Sequence, residues 1–149
     1  MNESAIASAS FGYLVMRVAR HWRQAADRAL AASGLSLAAT EPLLVLSRCG
    51  GEMRHGCLVD AVGIEGPSLV RLIDMLVRDK LVTRSEDPTD RRAKTITLTA
   101  LGRAKAQDIE AIVKSLRAHL LEGLDARDLD GALAVLTELD RKLTGPRDG

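Results

Sequence analysis

Aromatic residues are almost missing from this sequence, with one Trp, one Tyr and one Phe among 149 positions. Since 46% of the chain is nonetheless hydrophobic, Leu, Val, Ile and Ala must fill the core, which suits helix-on-helix packing. Cysteine is scarce as well. Cys49 and Cys57 alone can build neither a disulfide framework nor a four-ligand zinc site. Net charge is nearly absent, at +1, so any nucleic-acid affinity has to come from basic residues concentrated in one place. No run approaches the roughly 18 consecutive apolar residues that a membrane span needs. The opening MNESAIASASFGYL lacks a basic region followed by an apolar stretch, so no signal peptide is expected. His21, His55 and His119 form no i, i+4 ligand pair, and neither a phosphate loop nor a nucleophile–base pattern is present. A cytoplasmic protein that is no enzyme and carries no metal or cofactor is expected. Its length fits one domain with a real core.

What is present is helical periodicity with one β-rich interruption. From about Ile6 to Leu30, apolar residues at Phe11, Leu14, Val15, Val18, Trp22, Ala25, Ala26, Ala29 and Leu30 mark an amphipathic helix, stopped by Ser33-Gly34. A stripe of that length needs later helices or another subunit to cover it. Ser36 or Thr40 caps a second helix; placing Pro42 in its first turn favours Thr40. A short third helix spans about His55 to Val62, and Gly63-Ile64-Glu65-Gly66 turns the chain into a fourth, with Pro67 as its first residue. Leu81–Arg84 and Lys94–Leu98 alternate as two short strands. Thr99 caps a long helix to about Glu122. Asp125 opens a last one, striped by Leu129, Leu133, Leu136, Leu139 and Leu143 and closed by Gly145-Pro146.

Short helix, glycine-containing turn, second helix and then a basic hairpin make a winged helix-turn-helix. The fold expected is mainly α with a small β-hairpin wing. On the fourth helix, Arg71 is suited to a two-bond contact with guanine, worth about 1–3 kcal/mol of discrimination. Ser68 is placed for a base or a phosphate, and the Pro67-Ser68 start offers backbone N–H groups to phosphate. In the hairpin tip, Arg91 and Arg92 are candidates for a minor groove, while Arg84 and Lys94 are placed for phosphates. Asp90 is expected to hold a wing arginine by an ion pair.

The run IEGPSLVRLIDMLVRDKLVTR and the following DPTDRRAKTITLTALGR resemble the MarR/SlyA family of bacterial winged-helix regulators. The Asp-Arg-Arg tip followed by Leu98, Thr99 and Gly102 is the specific part of the likeness, and flanking helices of the expected length extend it over nearly the whole chain. The resemblance implies one domain over 1–149. In it, dimerisation helices at 1–34 and 100–149 flank a DNA-binding lobe at 36–99. It further implies a homodimer on a pseudo-palindromic operator, usually as a repressor. Ser68 and Arg71 become recognition-helix contacts, and Asp90, Arg91 and Arg92 the wing set, one arginine entering the minor groove.

Family members often release DNA on meeting a small aromatic acid, a phenolic compound or an oxidant. Arg17, Arg20, His21 and Trp22 offer cations and an indole to an aromatic carboxylate. The family's peroxide sensors use a cysteine near the start of the first helix, and this sequence has none there. Cys49 and Cys57 flank the turn region before the reading helix, which keeps open a thiol-redox-responsive regulator. A winged-helix module for protein–protein contact without DNA is the other alternative.

Overall fold

A computed structural model of the chain describes residues 3–145. They form α1 (Glu3–Leu30), a 3-10 turn (Ala31–Ser33), α2 (Leu37–Arg48), β1 (Glu52–Arg54), α3 (His55–Val62) and α4 (Gly66–Arg78). After these come β2 (Val82–Glu86), β3 (Lys94–Leu98), α5 (Ala100–Leu120) and α6 (Ala126–Thr144). This is the mainly helical, winged-helix class expected, with one small antiparallel sheet. The chain divides into a compact unit through Leu116 and a second from Arg117 onward.

In the first unit, Leu30, Leu43, Leu46, Leu58, Leu69, Ile73, Leu76, Ile96 and Ile109 are fully buried in one cluster. That core is aliphatic throughout, as the shortage of aromatics requires. Phe11 and Tyr13 lie exposed on α1. Helix α1 ends where Ser33 donates its hydroxyl to the Leu30 carbonyl at 2.6 Å.

Helix α2 departs from expectation at its start. Ser36 is the cap, accepting the Ala39 N–H on its hydroxyl, and Thr40 is buried inside the helix with its hydroxyl donating to the Leu37 carbonyl. Pro42 therefore sits in the second turn rather than the first. It is tolerated because only one ladder hydrogen bond is lost, at Ala38, whose residue is exposed to water, while the proline ring is fully buried in the core.

The sheet order is β1-β3-β2. The two expected strands pair from Val82 opposite Leu98 to Glu86 opposite Lys94. The unexpected third, β1, adds Met53 opposite Ile96 and Arg54 opposite Thr95 on the other side of β3.

Thr99 alone separates β3 from α5. Its N–H donates to the Leu81 carbonyl at 3.0 Å, its hydroxyl donates to the Lys80 carbonyl at 2.7 Å, and that same oxygen accepts the Gly102 N–H at 2.9 Å. Gly102 lets the first turn of α5 lie directly on the backbone, since a Cβ there would overlap the Leu81 carbonyl oxygen. Ala106 and Ile109 continue this buried stripe.

In the second unit, Asp125 caps α6 by accepting the Arg127 N–H at 2.8 Å. None of the α6 residues is buried, and Leu133, Val135, Leu136 and Leu143 are exposed. Gly145 ends the described helix, and Pro146, expected to close it, lies outside the described residues. No single described helix is long and apolar enough to cross a membrane. Among the described residues no group of three or more His, Cys, Asp or Glu is placed to hold a metal ion.

Candidate nucleic-acid interface

The helix pair α3–α4 turns at Gly63, whose φ of 73° lies in the left-handed region that glycine enters freely. Burial of Leu69, Ile73 and Leu76 then fixes the rotation of α4. Residues Pro67, Val70, Arg71 and Asp74, spaced i, i+3, i+4, i+7, are left on one exposed face. Ser68 is exposed at the helix start. Its N–H, expected to be open to a phosphate, instead donates to the Glu65 carbonyl at 3.0 Å, as the Ala39 N–H donates to the Ser36 carbonyl at the start of α2. What Ser68 presents is its hydroxyl. Periodicity does not single out Val70, 40% exposed, although an apolar side chain beside Arg71 suits the methyl group of a thymine.

Charges around this face are arranged in pairs. Asp74, an acid on the α4 face, is held by Arg84 of β2 at 2.6 Å. Lys94 Nζ lies 3.3 Å from Glu86 Oε1 across the hairpin, where the strand register sets them opposite. Two of the four cations expected in the wing are therefore engaged with carboxylates. The guanidinium groups of Arg71, Arg91 and Arg92 are all exposed, and among the described residues none has a hydrogen-bonding or ionic partner. Arg71 lies on the exposed α4 face, and Arg91 and Arg92 lie together at the hairpin tip.

Asp90 does not make the ion pair expected of it. Its Oδ1 accepts the Arg92 backbone N–H at 3.0 Å, so it shapes the backbone beneath the arginine rather than gripping the guanidinium. Its own N–H donates to Asp87 Oδ1 at 3.2 Å. The short side chain two residues before Arg92 reaches the main chain more easily than a freely extended arginine head.

Asp87 is the acid that sequence reasoning missed. It is 7% exposed, and its Oδ1 accepts the Thr89 N–H at 2.8 Å and the Thr89 hydroxyl at 2.5 Å. Its Oδ2 receives Arg54 Nε at 2.7 Å, while Arg54 Nη2 donates to Thr89 Oγ1 at 2.8 Å. The Thr89 hydroxyl and amide, followed by the Arg54 guanidinium, hold the Asp87 carboxyl well below the usual carboxylate range. Arg54 is pushed up in turn, chiefly by its hydrogen bond to Asp87. The Asp-Pro-Thr spacing signals a turn, but no sequence signal ties it to an arginine 33 residues earlier.

Two clefts adjoin these elements. One of about 410 Å³ lies between the start of α3 and the wing, lined by Arg54, His55, Cys57, Asp60, Arg92 and Lys94. The other, of about 550 Å³, lies against α1 and α2, with Trp22, Arg23, Asp27, Leu37, Glu41 and Ile64 among its walls. Of the four residues expected around an aromatic ligand, it takes in only Trp22. Arg17, Arg20 and His21 form their own i, i+3, i+4 stripe on another part of the helix circumference, and Arg17 lies over the Tyr13 ring at 5.8 Å. Both Cys49 and Cys57 are exposed free thiols.

No model of a protein family matches the chain. Among solved structures, the transcriptional regulator PA3341 is 39% identical over 89% of this chain and 97% of its own, with a TM-score of 0.79. A MarR-family transcriptional regulator from Rhodococcus sp. RHA1 is 28% identical over 89% of this chain and 93% of its own, at 0.75. The chain belongs to the MarR family. Its winged helix-turn-helix is thus that of a DNA-binding transcriptional regulator. BpsR of Bordetella bronchiseptica, whose DNA binding is regulated by 6-hydroxynicotinic acid, shares the MarR fold. It is 24% identical over 88% of this chain and 98% of its own, with a TM-score of 0.79. In MarR terms, α3 and α4 form the helix-turn-helix of this chain and the β2–β3 hairpin its wing.

Proposed function

We propose that this MarR-family regulator acts as a homodimeric repressor on a pseudo-palindromic operator and leaves it when a small aromatic acid binds. The observation that carries the reading is the set of unpartnered guanidiniums on Arg71, Arg91 and Arg92, beside acids that are mostly neutralised internally. Arg71 is the base reader, Ser68 and Pro67 flank it, and one of the two wing arginines enters the minor groove. Lys94 and Arg84 act on phosphates only by exchanging their present carboxylate partners. Such an exchange makes their contribution smaller than that of a free cation.

Two observations support the dimer. Phe11, Leu14 and Val18 form an exposed apolar stripe on α1, and Leu133, Leu136 and Leu143 form another on α6. Stripes of that kind require cover. A two-fold pair of recognition helices then reads half-sites about 10 bp apart. A cytoplasmic location goes with this reading, since the operator it binds is there.

Two measurements test the DNA reading. Arg71→Ala should relax base preference at one position in each half-site, by about 1–3 kcal/mol, in a selection of bound duplexes. Lys94→Ala should weaken binding on every sequence by a similar, smaller factor and leave preferences unchanged. Equal losses on all sequences from both variants would remove the division between reader and phosphate contact.

For the effector, the 550 Å³ cleft supplies the indole of Trp22 for an aromatic ring and the guanidinium of Arg23 for a carboxylate. Asp27 is already spent on the Leu37 N–H at 2.7 Å. Titration with aromatic carboxylates should change the emission of Trp22, the only tryptophan, and release DNA over the same concentration range. Release of DNA with no change in Trp22 emission would put the effector elsewhere.

A further inference from the structure

We infer that Arg54 is a positioning residue for DNA binding, a clamp from β1 that fixes the wing tip through Asp87 so that Arg91 and Arg92 are presented together. The inference rests on the DNA-binding reading of the wing and adds to it a residue outside both the recognition helix and the hairpin.

The geometry is specific. Arg54 is the last residue of β1 and also the residue from which α3 starts, so its backbone is fixed on two sides. Opposite Thr95 in the sheet, it reaches across to the tip with Nε on Asp87 Oδ2 and Nη2 on Thr89 Oγ1. The Asp87 carboxylate is only 9% exposed and collects four donors, namely Arg54 Nε, the Thr89 N–H and hydroxyl, and the Asp90 N–H. Two backbone bonds, Asp87 N–H to the Ala93 carbonyl at 3.0 Å and Ala93 N–H to the Asp90 carbonyl at 2.9 Å, close the loop around it. Arg91 and Arg92 lie inside that closed loop. Pairing with β1 stops at Thr95, so the tip beyond it is held by the β2–β3 pair alone, and a two-stranded hairpin holds its tip weakly in water. A nearly buried carboxylate that organises three backbone or hydroxyl donors and is anchored by a fixed guanidinium supplies the missing rigidity.

The alternative role for Arg54, whose side chain is half-exposed, is a direct contact with a DNA phosphate. The two roles predict opposite signs for one substitution. Asp87→Asn removes a negative charge beside DNA and frees Arg54, so direct contact predicts tighter binding. The clamp predicts weaker binding, because an amide cannot hold the guanidinium and accept the Thr89 and Asp90 donors as strongly.

The experiment uses the full-length chain in two arms. In the first, amide exchange is followed on the free protein. Arg54→Gln and Thr89→Ala should each raise exchange at Asp90 and Arg92 by about tenfold or more, with the exchange of core amides in α4 and α5 unchanged. In the second, a duplex selected from a random pool by the wild-type protein is titrated with each variant. Arg54→Gln and Asp87→Asn should each weaken binding by about tenfold, and the double variant should lose no more than either alone. Arg54→Lys, which keeps the charge but not the fork, should fall between. Unchanged exchange at the tip, additive losses, or tighter binding by Asp87→Asn would overturn the clamp. Failure of the wild-type protein to select any duplex would instead remove the DNA reading, and the exchange arm would still decide whether the clamp exists.

Discussion

Replacing Gly102 by alanine should destabilise the protein by at least about 2 kcal/mol, although alanine is the better helix former. Two effects oppose each other. In an exposed helix the substitution would gain about 1 kcal/mol from propensity. Here the added methyl group would overlap the Leu81 carbonyl oxygen, a backbone atom already accepting the Thr99 N–H. Backbone cannot swing aside as a flexible side chain does. Helix α5 must therefore lift off Leu81, loosening the Thr99 cap and shifting Ala106 and Ile109, both buried on the same stripe. Overpacking of this kind costs about 1–3 kcal/mol, and loss of a cap adds about 1 kcal/mol. The steric side wins. A urea midpoint equal to or above that of the wild type would show that the overlap relaxes freely.

The largest expected effect on DNA binding is that of Arg91→Ala combined with Arg92→Ala. Both guanidiniums are exposed and, among the described residues, unpartnered, so their removal disturbs no internal interaction. The fold should stay intact, with an unchanged melting curve. Affinity for a selected duplex should fall by about a hundredfold or more at physiological salt. The slope of log affinity against log salt should flatten by roughly one unit for each phosphate that is no longer neutralised. Replacing the arginines one at a time then identifies which of them enters the minor groove. That residue should show a greater loss on duplexes with a narrow, A-tract flank than on others. A double variant that binds as tightly as the wild type would mean that the tip stays clear of DNA.

Local signals are legible in the sequence, and long-range ones are not. Gly63, Pro67 and the 69–73–76 spacing fix α3, the turn and α4 without reference to anything else in the chain, and the structure has them at those positions. Thr99 marks the start of α5 for the same reason, whereas Gly102 is legible only through the family likeness, its cause being the Leu81 carbonyl, which precedes the hairpin in the chain. The three residues of β1, Glu-Met-Arg, are too few to show alternation, and they become a strand only because β3 offers an edge. Arg54 is invisible in the sequence because its partners stand at 87 and 89. Favouring Thr40 over Ser36 assumes that proline belongs in a first turn, and burial of the Pro42 ring overrides that preference. Grouping ligand residues by nearness in sequence fails because a helix sorts neighbours by angle, which parts Trp22 from Arg17, Arg20 and His21.

Strand β3 stands between β1 and β2 and runs into α5 with a single intervening residue. That residue, Thr99, is tied at both its amide and its hydroxyl to the Lys80–Leu81 backbone. The joint between wing and helix consequently has no slack. A tilt imposed on the first turn of α5 has no loop to absorb it and would bear directly on the Leu81 backbone and on the end of β3. Wing and helix thus share one joint at Leu81, and whatever shifts the start of α5 strains the root of the hairpin whose tip carries the arginines.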